Sequence, residues 1–183
     1  FLKQKKNKKN YLINFKIKNK IKSFLISKDL LDYKENILAC ICIIVNYFEI
    51  NYLKKNLFLG FKIPQSRGSI INYKKGSRKI TIIDESYNSN PMSFKFALER
   101  FDSNYRENKK KYLLVGNMLE LGKHSKKLHI EIAKYINRSK IRKTFVYGDL
   151  IKHTFTKLKP QIRGKILLNN TDILDLINKE LPN

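Results

Sequence analysis

Residues 79–99 run KITIIDESYNSNPMSFKFALE, and three short-range patterns follow one another within them. Ile80 to Ile83 is a β-branched run that reads as a fully buried strand. Asp84 to Asn90 is a polar turn, and it gives way to Pro91, whose fixed φ suits the first position of a helix. Ser89 or Asn90 is then the N-cap. Phe94, Ala97, Leu98 and Phe101 recur at i, i+3, i+4 and i+7, the spacing of one apolar helix face. The order is strand, polar turn, helix. In open α/β sheets such a turn lies outside the carboxyl end of a strand and beside a helix N-terminus, where free N–H groups attract anions.

The same pattern repeats downstream. Tyr112 to Val115 reads as a strand ending at Gly116, followed by a helix over Lys126 to Ile136 with Leu128, Ile132 and Ile136 in line. Thr144 to Tyr147 and Lys165 to Leu168 read as further strands. Helices are expected over Leu150 to Leu158 and Thr171 to Leu181, the latter with Ile173, Leu174, Ile177 and Leu181 on one side. Strands alternating with helices at this spacing imply βαβ units, hence a Rossmann-like α/β fold with a mostly parallel sheet flanked by helices. Upstream, Tyr11 to Ile26 alternates apolar and polar residues and predicts two antiparallel strands joined around Asn19-Lys20. Ser27 to Tyr47 turns helical, with Ile37, Cys40, Ile41, Ile44 and Phe48 sharing a face. Gly60 to Gly68, GFKIPQSRG, is the expected linker, since Pro64 forbids a continuous helix and Gly68 permits an unusual backbone angle.

Composition bounds the partners. The chain of 183 residues carries Lys+Arg 39 against Asp+Glu 15, a formal charge of +24. Charge of that size is the footprint of a nucleic-acid or anionic-membrane binder when it is gathered on one face. Here the lysines are spread along the chain with abundant Asn and Ile, and only Lys3 to Lys9 form a run, read as a solvated loop or a ragged end. No aromatic stacking ladder accompanies the charge, so a basic nucleic-acid-binding module is the second reading, not the first. Cys40 and Cys42, two apart in a helix, point to different faces, which excludes a disulfide or metal pair between them and fits a reduced, cytoplasmic setting. Ala39 to Val45, the most apolar run, falls far short of the roughly 20 residues that cross a bilayer, and no signal peptide is visible. Neither a G-x-G-x-x-G nor a G-x-x-x-x-G-K-[ST] phosphate loop occurs.

Two motifs together carry a resemblance. Asp84-x-Ser86-Tyr87-Asn88-Ser89-Asn90-Pro91, then Gly116-Asn117-Met118-Leu119-Glu120-Leu121-Gly122 with Ser125 to His129, resemble the third domain of a Mur ligase. The Tyr-Asn-Ser-Asn-Pro form is similar to the branch that adds D-alanyl-D-alanine to a UDP-linked muramoyl tripeptide of the peptidoglycan precursor. The resemblance implies an ATP-dependent amide ligase acting through an acyl phosphate. Residues 1–63 would be the tail of the central, ATP-binding domain, and residues 64–183 most of the carboxyl-terminal domain without its last strand. The N-terminal domain and most of the central one would precede this sequence and carry the phosphate loop and the Mg²⁺ ligands.

For the site, the resemblance implies that Arg67 reaches the ATP phosphates, as the Arg that follows this Pro does in the family; a guanidinium suits that work because its fork of donors matches phosphate oxygens. It also implies a nucleotide-facing role for Asp84, Tyr87, Asn88 and Asn90, with Glu85 the alternative to Asp84 as the family's acid. Ser66 stands where the family has Gly, Ala39 where it has Asn, and Asn117 where it commonly has Asp, a pattern that a degenerate, non-catalytic relative would share. No residue of this chain is assigned to catalysis or to a metal: His124 and His153 have no partners at ligand spacing, and a single His129 on a helix reads as a capping or packing residue.

Overall fold

The computed structural model describes residues 3–7, 9–76, 78–104 and 110–181. The chain divides after Pro64 into two compact units, residues 1–64 and 65–183.

The first unit is a three-stranded antiparallel meander, β1 (Lys3–Asn7), β2 (Asn10–Ile17) and β3 (Lys20–Ile26), followed by a 3₁₀ turn over Lys28–Tyr33 and helix α1 (Lys34–Ile44). The β2–β3 register runs from Tyr11↔Ile26 to Ile17↔Lys20. The hairpin turn is therefore Lys18-Asn19, one residue earlier than expected. Both turn residues lie in the left-handed region, at φ 46° and 62°, the geometry of the tight hairpin turn that matches strand twist. One sheet face supplies Ile13, Phe15, Ile17, Phe24 and Ile26, and these pack with Leu30, Ile37, Ile41 and Val45. Two expectations fail here. The basic run is no loop, for Lys3–Asn7 pairs with β2; Lys8 lies outside the described residues. On α1, Ile37 and Ile41 are buried but Cys40, within the helix, is exposed, and Phe48 is 63% exposed because the helix stops at Ile44 and its register does not continue that far.

The second unit holds the parallel sheet, in strand order β6-β7-β8 among the described residues: β6 (Tyr112–Gly116), β7 (Lys143–Tyr147) and β8 (Arg163–Leu167). Helices α2 (Pro91–Asn104), α3 (Ser125–Ile136) and α4 (Lys152–Thr156) follow in turn. Leu98, Ala133, Ile136, Ile141 and Leu158 form one cluster, and Val115, Met118, Ile132, Val146 and Ile151 form another. Phe145 and Leu167 instead meet Leu176 in the last helical segment, α5 (Asn170–Asp175) with a π turn over Leu176–Glu180. Separate clusters of this kind give the layered α/β arrangement. In this segment Leu176 is buried while Leu174 is 58% exposed, against the face read from the sequence.

A further correction concerns the strand before α2. Residues Arg78–Asp84 form β5, but it pairs antiparallel with a strand the sequence did not suggest, β4 (Ser69–Lys75), in a two-stranded sheet of its own. Ile80, Ile82 and Ile83 are only half-buried, as a two-stranded ribbon leaves them. The hairpin keeps its place through its ends. Tyr73 donates its hydroxyl to Asn178 Oδ1 at 2.7 Å, and Ser69 stands opposite Asp84, which brings the linker's last residues beside the turn before α2.

Candidate functional site

Helix α2 begins where the sequence requires. Asn90 is its N-cap: Oδ1 accepts from the N–H groups of Met92 at 3.0 Å and Ser93 at 2.9 Å, while the Asn90 N–H donates to Ser93 Oγ at 3.0 Å. This is a reciprocal cap that answers three otherwise orphaned donors. Asn90→Ala removes it, and a loss of about 1 kcal/mol in unfolding free energy is expected by urea titration. Asn88 Oδ1 accepts from the Ser89 N–H at 2.8 Å, so both amide side chains spend their oxygens on the turn and keep their NH₂ groups, on exposed residues, as the donors left to meet a ligand.

The segment 66–68 is hydrogen-bonded to that turn. Gly68 N–H donates to the Asp84 carbonyl at 2.8 Å, and Tyr87 N–H donates to the Ser66 carbonyl at 3.1 Å. Ser66 Oγ donates to Asp84 Oδ2 at 2.9 Å, and Ser86 N–H donates to Asp84 Oδ1 at 3.0 Å. Between these anchors Arg67 is exposed, its guanidinium 4.1 Å from the centre of the Tyr87 ring. Tyr87 itself is 66% exposed. A guanidinium on an aromatic face keeps its in-plane donors directed outward. The five residues expected at the site, Arg67, Asp84, Tyr87, Asn88 and Asn90, thus fall on one corner of the second unit. Arg67, Tyr87 and the two asparagines are exposed residues, whereas each carboxylate oxygen of Asp84 accepts a bond within the corner.

The two adjacent acids differ. Hydrogen bonding from the Ser86 side chain holds the Asp84 carboxyl below its ordinary value of 3.8; burial opposes it, and the Ser86 N–H and the Ser66 hydroxyl add to it. Burial pushes Glu85 above its ordinary 4.5, offset in part by its ion pair with Arg100. The signs are opposite. Asp84 stabilises the fold above pH 3.8 and loses this contribution as pH falls through its lowered value, whereas the charge on Glu85 disfavours the fold above its raised value and has no effect below 4.5. Glu85→Gln is therefore expected to raise the melting temperature relative to the native chain at pH 7, with the difference vanishing by about pH 4, as melts at the two pH values will read.

A second corner closes the ends of β6 and β7. Asn117 Oδ1 accepts from the Ile151 N–H at 3.0 Å, and a Cβ on Gly148, which sits at φ 115°, would come within 2.6 Å of that same oxygen. His129, fully buried, ties the loop to α3. Its Nδ1 lies 2.7 Å from the Ser125 carbonyl, which can only accept, so Nδ1 carries the proton and Nε2 accepts from the Met118 N–H at 2.9 Å. The side chain is structural, as its place on the helix suggested. The residue the sequence left unused is Ser66. Its signal was present in the departure from Gly, for it adopts φ 60°, where glycine is the easy choice.

Among the described residues no group of three or more His, Cys, Asp or Glu side chains could hold a metal ion, and no helix is long and apolar enough to cross a membrane. A family model described as Mur ligase, glutamate ligase domain, matches residues 71–176, more than half of the chain. The UDP-N-acetylmuramoyl-tripeptide--D-alanyl-D-alanine ligase of Rickettsia prowazekii is 31% identical over 112 residues, 61% of this chain and 24% of that protein. The protein of the same name from Bacillus subtilis is 35% identical over 91 residues, 50% of this chain and 19% of its own length. Among solved structures, the MurF ligase of Thermotoga maritima in complex with ADP superposes with a TM-score of 0.68 at 19% identity, covering 98% of this chain and 39% of that one. A MurF structure from Acinetobacter baumannii gives 0.68 at 15% identity, over 97% and 38%. The chain spans about a quarter or less of the curated relatives it matches, and at these identities the solved structures establish the fold. With the matched segment taking in β5, α2 and the parallel sheet, the chain belongs to the Mur ligase family.

Proposed function

We propose that this chain is the carboxyl-terminal part of an ATP-dependent ligase that joins D-Ala-D-Ala to a UDP-linked muramoyl tripeptide, the activity named for both curated relatives. In that reaction ATP phosphorylates the tripeptide carboxylate, the dipeptide amine attacks the acyl phosphate, and an amide forms with release of phosphate. Residues 1–64 would then be the tail of the nucleotide-hydrolysing domain, and the enzyme would work in the cytoplasm, in keeping with two free, exposed cysteines.

The observation that carries the reading is the Arg67 guanidinium held on Tyr87 beside the start of α2. Arg67 offers a fork of donors to phosphate oxygens, Tyr87 offers a flat face, and the Asn88 and Asn90 amides offer N–H groups to a ribose or base. Each of these groups orients charge or stacks, and none needs to exchange a proton, as suits chemistry that depends on positioning and charge neutralisation. Mg²⁺ would neutralise the phosphates, but the described residues of this chain supply no ligand set for it; its ligands would come from the remainder of the enzyme.

The 183 residues alone are expected to show no ATP turnover. Joined to the preceding region of a relative, they should support phosphate release that requires both the tripeptide and D-Ala-D-Ala. Robust ATPase activity from the chain by itself, or turnover in the joined enzyme that ignores the dipeptide, would overturn the assignment.

A further inference from the structure

The contacts that hold Arg67 suggest a division of labour within the corner. Ser66 sits at φ 60°, a left-handed conformation that a residue with a Cβ adopts only at a cost. Its polar groups are all engaged: the carbonyl by Tyr87 N–H at 3.1 Å, the hydroxyl on Asp84 Oδ2 at 2.9 Å, and the N–H on Ser69 Oγ at 3.2 Å. Asp84 in turn accepts Ser66 on one oxygen and the Ser86 N–H on the other, while its carbonyl takes the Gly68 N–H at 2.8 Å. The two bonds from the 66–68 backbone and the one from the Ser66 hydroxyl therefore bracket Arg67 on both sides. Each carboxylate oxygen thus gives one acceptor site to the corner itself.

We propose that Ser66 and Asp84 are positioning residues: the hydroxyl–carboxylate clasp fixes the segment that lays the Arg67 guanidinium over Tyr87, and Asp84 acts through that segment. This adds a positioning role to the expectation that placed Asp84 at the nucleotide, and it rests on Arg67 as the phosphate-binding group. The clasp belongs to this sequence, since a glycine at position 66 would adopt the same φ with no hydroxyl to donate. The serine thus trades backbone ease for a side-chain bond that ties Arg67's neighbour to the strand end.

The test is NMR on the 183-residue chain with labelled arginine. The Tyr87 ring moves Arg67 side-chain resonances upfield, and Tyr87→Leu defines the unshifted position. Ser66→Gly, which removes the hydroxyl while easing the backbone, and Asp84→Ala should each reduce the upfield displacement on the order of twofold or more, and the double variant should fall no further than the worse single one. Asp84→Asn, able to accept from Ser86 and to donate to Ser66 Oγ, should restore most of it. An unchanged Arg67 displacement in Ser66→Gly and Asp84→Ala, with native amide spectra elsewhere, would overturn the clasp; so would losses that simply add. Inorganic tripolyphosphate added to the native chain separates the two ideas. If the clasp behaves as stated but Arg67 does not respond to tripolyphosphate, the phosphate role fails and the clasp stands. If Arg67 responds but is indifferent to Ser66 and Asp84, the clasp fails alone.

Discussion

Arg67→Ala in the complete enzyme is expected to lower kcat by on the order of 10²–10³-fold, the scale of removing one preorganised donor from a charge-developing transition state. The KM for ATP should move much less, because base and ribose contacts remain. Arg67 is exposed and its guanidinium stacks on Tyr87 at 4.1 Å, a contact worth about 1 kcal/mol at an exposed site, so the fold should be retained. Arg67→Lys should not restore the rate, since an ammonium has neither the planar fork nor the stacking geometry. Steady-state kinetics with thermal melts will separate these effects. An unchanged kcat would remove Arg67 from the phosphate role.

His129→Ala is expected to have the largest effect on stability, about 3–5 kcal/mol, read as a lower urea midpoint with unchanged cooperativity. The imidazole is wholly buried and answers two backbone groups at once, the Met118 N–H and the Ser125 carbonyl. Truncation leaves a cavity and strands the Met118 donor. Amide exchange at Met118 should accelerate well beyond that of β7, because the bond lost is local to the Gly116–Leu121 loop. His129→Gln, which can still accept from Met118, should recover part of the loss. The expected readout is stability, with nucleotide response unaffected, and that is what distinguishes this buried histidine from a site residue.

Much of the fold was legible because periodicity and end signals agreed. Phe94, Ala97, Leu98 and Phe101 do turn inward, with Leu98 5% exposed, and Asn90 caps with Pro91 behind it. The strands of the parallel sheet fell where apolar runs ended at Gly116 and Gly148. What escaped was structure held by pairing rather than pattern. Lys3–Asn7 has no apolar alternation, and its strand exists because β2 offers it a register. Ser69–Lys75 carries Ile70 and Ile71 side by side, both about half exposed, as a two-stranded ribbon permits. The α1 face was drawn one turn too long, through Phe48.

The site shows the same division. Arg67, Tyr87, Asn88 and Asn90 were recognisable by residue type and order, yet their meeting depends on a hairpin that sets Ser69 opposite Asp84, and no local pattern announced it. The consequence for Asp84 could not be read from the letters. Its oxygens accept from Ser66 and Ser86, and the first of these partners reaches it only through the β4–β5 pairing. Lys111, 4% exposed, is a comparable case: its ammonium donates to the Asp102 carbonyl at 2.8 Å and pairs with that residue's carboxylate, although in the sequence it is one lysine among many.

The most direct measurement is an amide and arginine side-chain NMR titration of the 183-residue chain with ADP. The first and largest changes are expected on Arg67, Gly68, Tyr87 and Asn88, saturating together, and Arg67→Ala should weaken those at Gly68, Tyr87 and Asn88 while leaving the remaining spectrum native. Changes centred on the lysines of β1 to β3, with the Arg67–Tyr87 corner silent, would contradict this expectation.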